Sequence, residues 1–307
     1  MRGLDEARAL YETQGRALLR REFPDWEGRI AAGLVGRGSE CFGFDDETSR
    51  DHDFEPGFCL WLTDEDYAAI GVPLSRAYQR LTGSGAAAHS AMAERRLGVH
   101  RIGEFYLRYT GSPGAPESWQ QWLSLPGYAL AEASNGEVWR DDPGVFSAVR
   151  REILAGMPED VRKKKLAARA VEMAQSGQYN YARCLKHGEE GAAMLALSDF
   201  VHAACGMIYL LNRRHMPYYK WMLRGMEALP KLGDMRPALE YLLTAENDES
   251  GRATKQGVVE DICAAVIREL KAQSLTGGDW DYLEPHAFEI MGRIQNQQIR
   301  ALHVMEG

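Results

Sequence analysis

The chain is short of several things. Its five cysteines (Cys41, Cys59, Cys184, Cys205 and Cys263) are odd in number, widely spread and without CxxC spacing. That excludes a disulfide framework and a zinc knuckle, and it suits buried free thiols in a reducing compartment. Long hydrophobic runs are lacking: the longest, 203–211, is about half of what a membrane-spanning helix needs. Asp5 and Glu6 stand where a signal peptide needs apolar residues, so the expectation is a cytoplasmic protein with no membrane partner. Positive charge is also short, with 36 Lys and Arg against 44 Asp and Glu, a net charge of −8 and a pI near 5.6. A non-specific grip on duplex nucleic acid needs a positive field, so this balance argues against one. The sequence has no HExxH, and GRGSECFG lacks the GK[ST] ending of a P-loop and the glycine spacing of a dinucleotide fold. An EF-hand counted from Asp51 would put Pro56 where glycine is needed and Leu62 where a bidentate glutamate is needed.

What is there is an ordinary globular composition, 45% apolar and 26% charged over 307 residues. At roughly 100–200 residues per domain this suggests two domains. Residues 1–24 read as a helix with Leu4, Ala7, Leu10, Ala17, Leu18 and Phe23 on one face. The apolar run 30–35, stopped by Gly36, reads as a buried strand entering a tight turn. Residues 58–62 read as a second strand, 99–102 as a third, and Asn135-Gly136 as a turn into a fourth. Thr63, followed by Asp64, Glu65 and Asp66, reads as a capped helix start. From about residue 146 the pattern turns helical, with Leu195, Leu197, Phe200, Val201, Ala204, Ile208 and Leu211 in one stripe and 245–257 reading as a polar loop. The expected fold class is α+β, with a mixed domain at 1–145 and a helical domain at 146–307.

The window with chemistry in it is 40–66. It holds ten acids and one arginine, Arg50, for a local charge of −9. A solvated acidic loop would satisfy that charge, and so would bound cations. The residue order adds content: a strand ends at Gly36, then come Gly38-Ser39, Gly43 and Asp51-His52-Asp53. On extended backbone, Asp51 and Asp53 project from one face and His52 from the other. Paired carboxylates are hard oxygen donors able to hold two Mg²⁺ ions, and a glycine-serine bend lets backbone amides approach a phosphate closely.

GRGSECFGFDDETSRDHDF, through Gly38, Ser39, Gly43, Ser49, Asp51 and Asp53, resembles the signature of the DNA polymerase beta-like nucleotidyltransferase superfamily. More narrowly the chain resembles an uncharacterised bacterial family, on SRDHDF (49–54), NGEVWRDD (135–142) and LLNRRHMPYYKW (210–221). The resemblance implies a small mixed sheet with helices followed by a helical bundle. It also implies Mg²⁺-dependent transfer of a nucleoside monophosphate from a nucleoside triphosphate, with ATP the first expectation, to a small acceptor. By position, Gly38 and Ser39 would bind the triphosphate, while Asp51 and Asp53 would be catalytic and hold the metals.

The superfamily often supplies a third carboxylate. Glu104, just past the third strand, is the first candidate and Glu132 the second, with a surface salt bridge as the plain alternative for Glu104. Arg183, Asn212 and Lys220 are the candidates for facing the nucleotide from the helical half, where Lys or Arg can steady the leaving pyrophosphate. Lys220 beside Trp221 also suits a snorkelling surface lysine. The run Arg162-Lys163-Lys164-Lys165 reads as a solvated helix face, and His187, His202 and His215 have no metal spacing. Two other functions stay open: a nucleotide-binding regulatory module with weak or no turnover, and a transferase acting on a protein or tRNA.

Overall fold

The computed structural model describes residues 3–46, 57–83 and 96–307. The chain forms two compact units, Met1–Glu117 with Ala129–Ala155, and Ser118–Tyr128 with Gly156–Gly307. The helix Val145–Ala155 belongs to the first unit, whereas a single cut at 145 would assign it to the second. All the described strands lie in the first unit and the second is helical, so the fold is α+β.

In the first unit the strands β1 (Ala31–Leu34), β2 (Cys59–Leu62), β3 (Gly98–Arg101) and β4 (Glu137–Arg140) form one mixed sheet in the order β3-β2-β1-β4. β1 is antiparallel to β2 and β4, and β2 is parallel to β3. Both faces are covered, which is why β1 and β2 read as continuous apolar runs. Phe58, Leu60 and Leu62 point into a cluster with Tyr11, Leu18, Leu19, Ile70 and Leu74. Trp61, on the opposite face by the strand's two-residue period, stacks on Phe146 at 4.0 Å and meets Phe105 edge-on at 5.6 Å. Gly33 is needed where β1 crosses β4: a Cβ there would lie 2.3 Å from the Glu137 carbonyl oxygen, at an irregularity in the pairing.

The N-terminal helix corrects its expected face. Between Gly3–Leu10 and Arg16–Glu22, residues Tyr11–Gly15 wind as a π-helix. The added residue rotates the buried stripe to Ala7, Tyr11, Gly15, Leu18 and Leu19, leaving Ala17 exposed and Leu4 and Leu10 half-buried. Tyr11 meets the Phe58 ring edge-on at 5.4 Å, and Gly15 sits so close that a Cβ would be 2.8 Å from that ring.

The second unit is built on Glu159–Met173, Glu190–Leu211, Glu249–Ala272 and Leu283–Gly292. Glu190–Leu211 is long and apolar enough to cross a bilayer, but 72% of its most apolar window is buried inside the protein. Two expectations are corrected here. Residues 249–257 are helix, because the Asp248 carboxylate accepts the Gly251 amide at 2.7 Å and caps the first turn. The basic run at 162–165 is largely buried, with Arg162 3% and Lys164 0% exposed. Backbone carbonyls make that burial tolerable: Lys163 donates to Arg293 O at 2.9 Å, Lys164 to Val304 O at 3.0 Å and Lys165 to Leu125 O at 3.0 Å.

Candidate active site

β1 delivers the chain into a bend with two glycines that side chains could not replace. Gly36 has φ +125° and Gly38 φ +126°, in a region that L side chains rarely adopt. A Cβ at Gly36 would stand 2.8 Å from the Tyr109 hydroxyl, and one at Gly38 would stand 2.3 Å from Arg96 Nη1. Ser39 then opens the four-residue helix Ser39–Phe42, which Gly43 ends with φ +69°.

Two clamps hold this bend. The Asn135 amide grips Gly36 reciprocally: Gly36 N donates to Asn135 Oδ1 and Asn135 Nδ2 donates to Gly36 O, both at 2.8 Å. The adjacent Gly136 amide donates to Cys41 O at 2.8 Å, tying the short helix to the same turn. From another side, Arg96 Nη1 donates to Arg37 O at 3.1 Å and pairs with the Glu40 carboxylate. Burial works against the Arg96 charge, yet Glu40 outweighs it and holds the guanidinium above its ordinary value.

Glu132 closes the neighbourhood. Its side chain is 12% exposed and its Oε2 lies 3.5 Å from Arg37 Nε. Burial raises its carboxyl above the usual range, against the opposing pull of Arg37. Tyr109, whose phenol burial pushes up strongly, also feels the Glu132 charge.

Gly38 and Ser39 thus fall in the clamped bend, and Glu132 is brought to it through Arg37. Glu104 is at a different kind of place: it is exposed, in the first turn of Ile102–Thr110, and its Oε1 is 3.6 Å from Arg101 Nε. That is the salt bridge of the plain alternative. Asp51 and Asp53 lie outside the described residues. The acidity of 40–66 is partly structural, since Glu40 pairs with Arg96, Asp45 accepts the Gly3 amide at 2.7 Å, and Asp66 pairs with Arg29 while 2% exposed. Among the described residues no group of three His, Cys, Asp or Glu is arranged to hold a metal ion.

The remaining candidates are in the second unit. Asn212 is committed to structure: Nδ2 donates to Ile208 O and Lys231 O, both at 2.8 Å, and Oδ1 accepts the Lys231 amide at 3.1 Å. It ends one helix and pins a later loop, a use its capping position explains. Arg183 is exposed, with its guanidinium 5.6 Å from the Tyr179 ring centre, and Lys220 is exposed in the first turn of Tyr219–Gly225.

Sequence reasoning missed the supporting residues Asn135, Arg96 and Tyr109. Asn135 carried a signal, as the first residue of NGEVWRDD directly before a strand, but its partner lies 99 positions away. It missed the second unit's buried cations too. Lys164 and Lys165 are each pushed down to about 8, chiefly by burial, and Arg169 Nη2 donates to Gly307 O at 2.6 Å.

No curated protein matches the chain, and no solved structure does. Residues 122–222, a stretch that includes the Asn135 turn and the buried basic run, match a family described as a domain of unknown function (DUF4037).

Proposed function

We propose that this chain is a Mg²⁺-dependent nucleotidyltransferase that moves a nucleoside monophosphate from a nucleoside triphosphate to a hydroxyl of a small acceptor, releasing pyrophosphate. The observation that carries the reading is the bend at Gly36–Ser39: two glycines of positive φ leaving a buried strand, braced by the reciprocal Asn135 bonds. Such a bend lets backbone amides approach phosphate oxygens closely, and a rigid brace keeps them aimed. The resemblance of Gly38-Ser39 and Asp51-His52-Asp53 to the superfamily's glycine-serine and acid-x-acid signature supports it from the sequence side.

In this reading Gly38 and Ser39 bind the triphosphate, and Asp51 and Asp53 supply the hard oxygen donors that Mg²⁺ prefers. Mg²⁺ held by Asp51 and Asp53 would neutralise phosphate charge and make the acceptor hydroxyl more acidic. Glu132 takes the hydroxyl proton on a carboxylate oxygen as the acceptor oxygen bonds to the α-phosphorus. The bond from the α-phosphorus to the bridging oxygen breaks, and its electron pair leaves with pyrophosphate. Burial moves that carboxyl upward from its ordinary value, the direction in which a carboxylate becomes a stronger base.

One observation favours a second reading, a nucleotide-binding module without turnover: Glu104 is spent on an exposed ion pair with Arg101. A single experiment separates the two. Thermal stabilisation by each of the four triphosphates with Mg²⁺ is measured first, then pyrophosphate release and label transfer from the α-phosphate with a metabolite extract. Transfer that Asp51→Ala abolishes supports the enzyme. Stabilisation without pyrophosphate supports the module, and unimpaired transfer by Asp51→Ala removes the metal assignment.

A further inference from the structure

The second unit carries a surface feature unrelated to the bend. Residues 277–289, GGDWDYLEPHAFE, contain four acids, three large aromatics and no Lys or Arg. They shape a wide-open surface groove of about 550 Å³ lined by Trp280, Tyr282, Glu284, Pro285, Phe288 and Glu289. Trp280 is 47% and Phe288 56% exposed. Leaving two such side chains in water forgoes burial energy that folding otherwise uses.

The segment is held stiffly. His286 Nε2 donates to the Trp280 carbonyl at 2.9 Å and its Nδ1 shares a 2.7 Å hydrogen bond with the Thr276 hydroxyl. Gln178 accepts the Leu283 amide at 3.0 Å and donates to Asp281 O at 3.0 Å. The Trp280 ring lies across Gly278, where a Cβ would be 2.0 Å from Cζ3, and the His286 ring meets it at 5.5 Å. The Trp280 ring is therefore positioned before any ligand arrives, which removes an ordering cost from binding.

The carboxylates are already spoken for. Glu289 accepts the Gly277 amide at 2.6 Å and the Thr276 hydroxyl, and Glu284 accepts Gln175 Nε2 at 3.1 Å. Of the neighbouring cations Lys271 pairs with Asp279 at 2.8 Å, and Arg293 donates to the Ser274 carbonyl at 2.6 Å and keeps its charge, so four acids against these two cations leave the surroundings net negative. What the groove offers a ligand is aromatic surface in a negative field. That suits a cation with apolar substituents and no N–H donors to satisfy.

We propose that this groove binds a small molecule bearing a trimethylammonium head, held by Trp280, Tyr282 and Phe288 through cation–π attraction. The proposal does not depend on the nucleotidyltransferase reading. It is tested on the full chain by titrating choline, and separately its uncharged isostere 3,3-dimethylbutan-1-ol, while heat and amide and indole NMR shifts are recorded. Choline is expected to saturate in the millimolar range and to bind about fivefold or more tighter than the alcohol. Trp280→Leu and Phe288→Leu, both at exposed positions, should each weaken choline by a similar factor. Equal affinity for choline and the alcohol would reduce the feature to a plain apolar dent and overturn the proposal. So would choline binding unchanged in both variants, or no saturation into the tens of millimolar. The choline-to-alcohol ratio needs no variant, so a misfolded substitution would not protect the idea.

Discussion

Asn135→Ala tests the brace on which the candidate site depends. The substitution deletes two neutral hydrogen bonds of 2.8 Å and strands the amide and carbonyl of Gly36, a buried residue. A neutral hydrogen bond contributes about 1 kcal/mol net, and a buried group left unpaired costs about 1–3 kcal/mol. Water can reach part of the gap, since Asn135 itself is half-buried, so the expected loss is about 2–3 kcal/mol. At roughly 3 °C per kcal/mol for a unit of this size, the first unit's melting temperature should fall by about 6–9 °C. Two compact units can melt separately, so a single global midpoint is the wrong readout. Hydrogen exchange of a peptide spanning 34–42 is the right one, and its protection should drop in the variant. Asn135→Asp keeps an acceptor for the Gly36 amide but removes the donor to its carbonyl, and should fall between wild type and Ala. Mg²⁺-triphosphate stabilisation should weaken in the same order. If Asn135→Ala stays within about 0.5 kcal/mol of wild type with unchanged protection at 34–42, the bend is not held by Asn135.

Three further outcomes follow from the same chemistry. Lys165 is held near 8 against an ordinary 10.5, chiefly by burial. As pH falls from 10.5 the unfolded chain takes up that proton first, so stability is fullest above 10.5 and is lost down to about 8, by at most about 3 kcal/mol. Urea titrations at pH 8 and 9.5 should therefore show a smaller gain with pH in Lys165→Met than in wild type, and equal slopes would contradict the burial. Cys41, Cys59, Cys205 and Cys263 are buried and burial raises each thiol, whereas Cys184 is half-exposed. A native thiol titration should thus find one fast equivalent, with the rest appearing only on denaturation. Asp248→Ala removes the cap of Glu249–Ala272 and should cost about 1 kcal/mol, read as faster exchange confined to its first turns.

The strands were legible because their signal is local. The runs 30–35 and 58–62 are apolar, of strand length and bounded by glycine or a capping threonine, and they became β1 and β2. Thr63 does cap the following helix, accepting the Asp66 amide at 3.2 Å. Strand order was not legible, because pairing β1 with β4 joins residues about a hundred positions apart that share no local pattern. The N-terminal helix was legible as a helix but not as a face, since the π-turn at Tyr11–Gly15 shifts the period on which the face depends. At the candidate site the glycine-serine bend could be read from residue order. Its brace could not, because Asn135 lies 99 positions from Gly36.

The basic run shows why charge alone misleads. Four consecutive cations on a helix read as a solvated face because a buried ammonium costs several kcal/mol unless it is hydrogen-bonded. That reasoning omits the acceptors. Carbonyls of Leu125, Arg293 and Val304, from three other stretches of chain, reach Lys165, Lys163 and Lys164. Arg162 reaches Gln273 Oε1 at 3.3 Å as well as its own Glu159. A backbone carbonyl satisfies a donor without cancelling its charge. Lys164 and Lys165 therefore remain cationic groups held below their ordinary pKa, and Lys165 has no carboxylate paired to it among the described residues. A solvated face would leave these lysines near 10.5, so the pH slope of Lys165→Met against wild type decides between a charge surrounded by water and one buried against the Leu125 carbonyl.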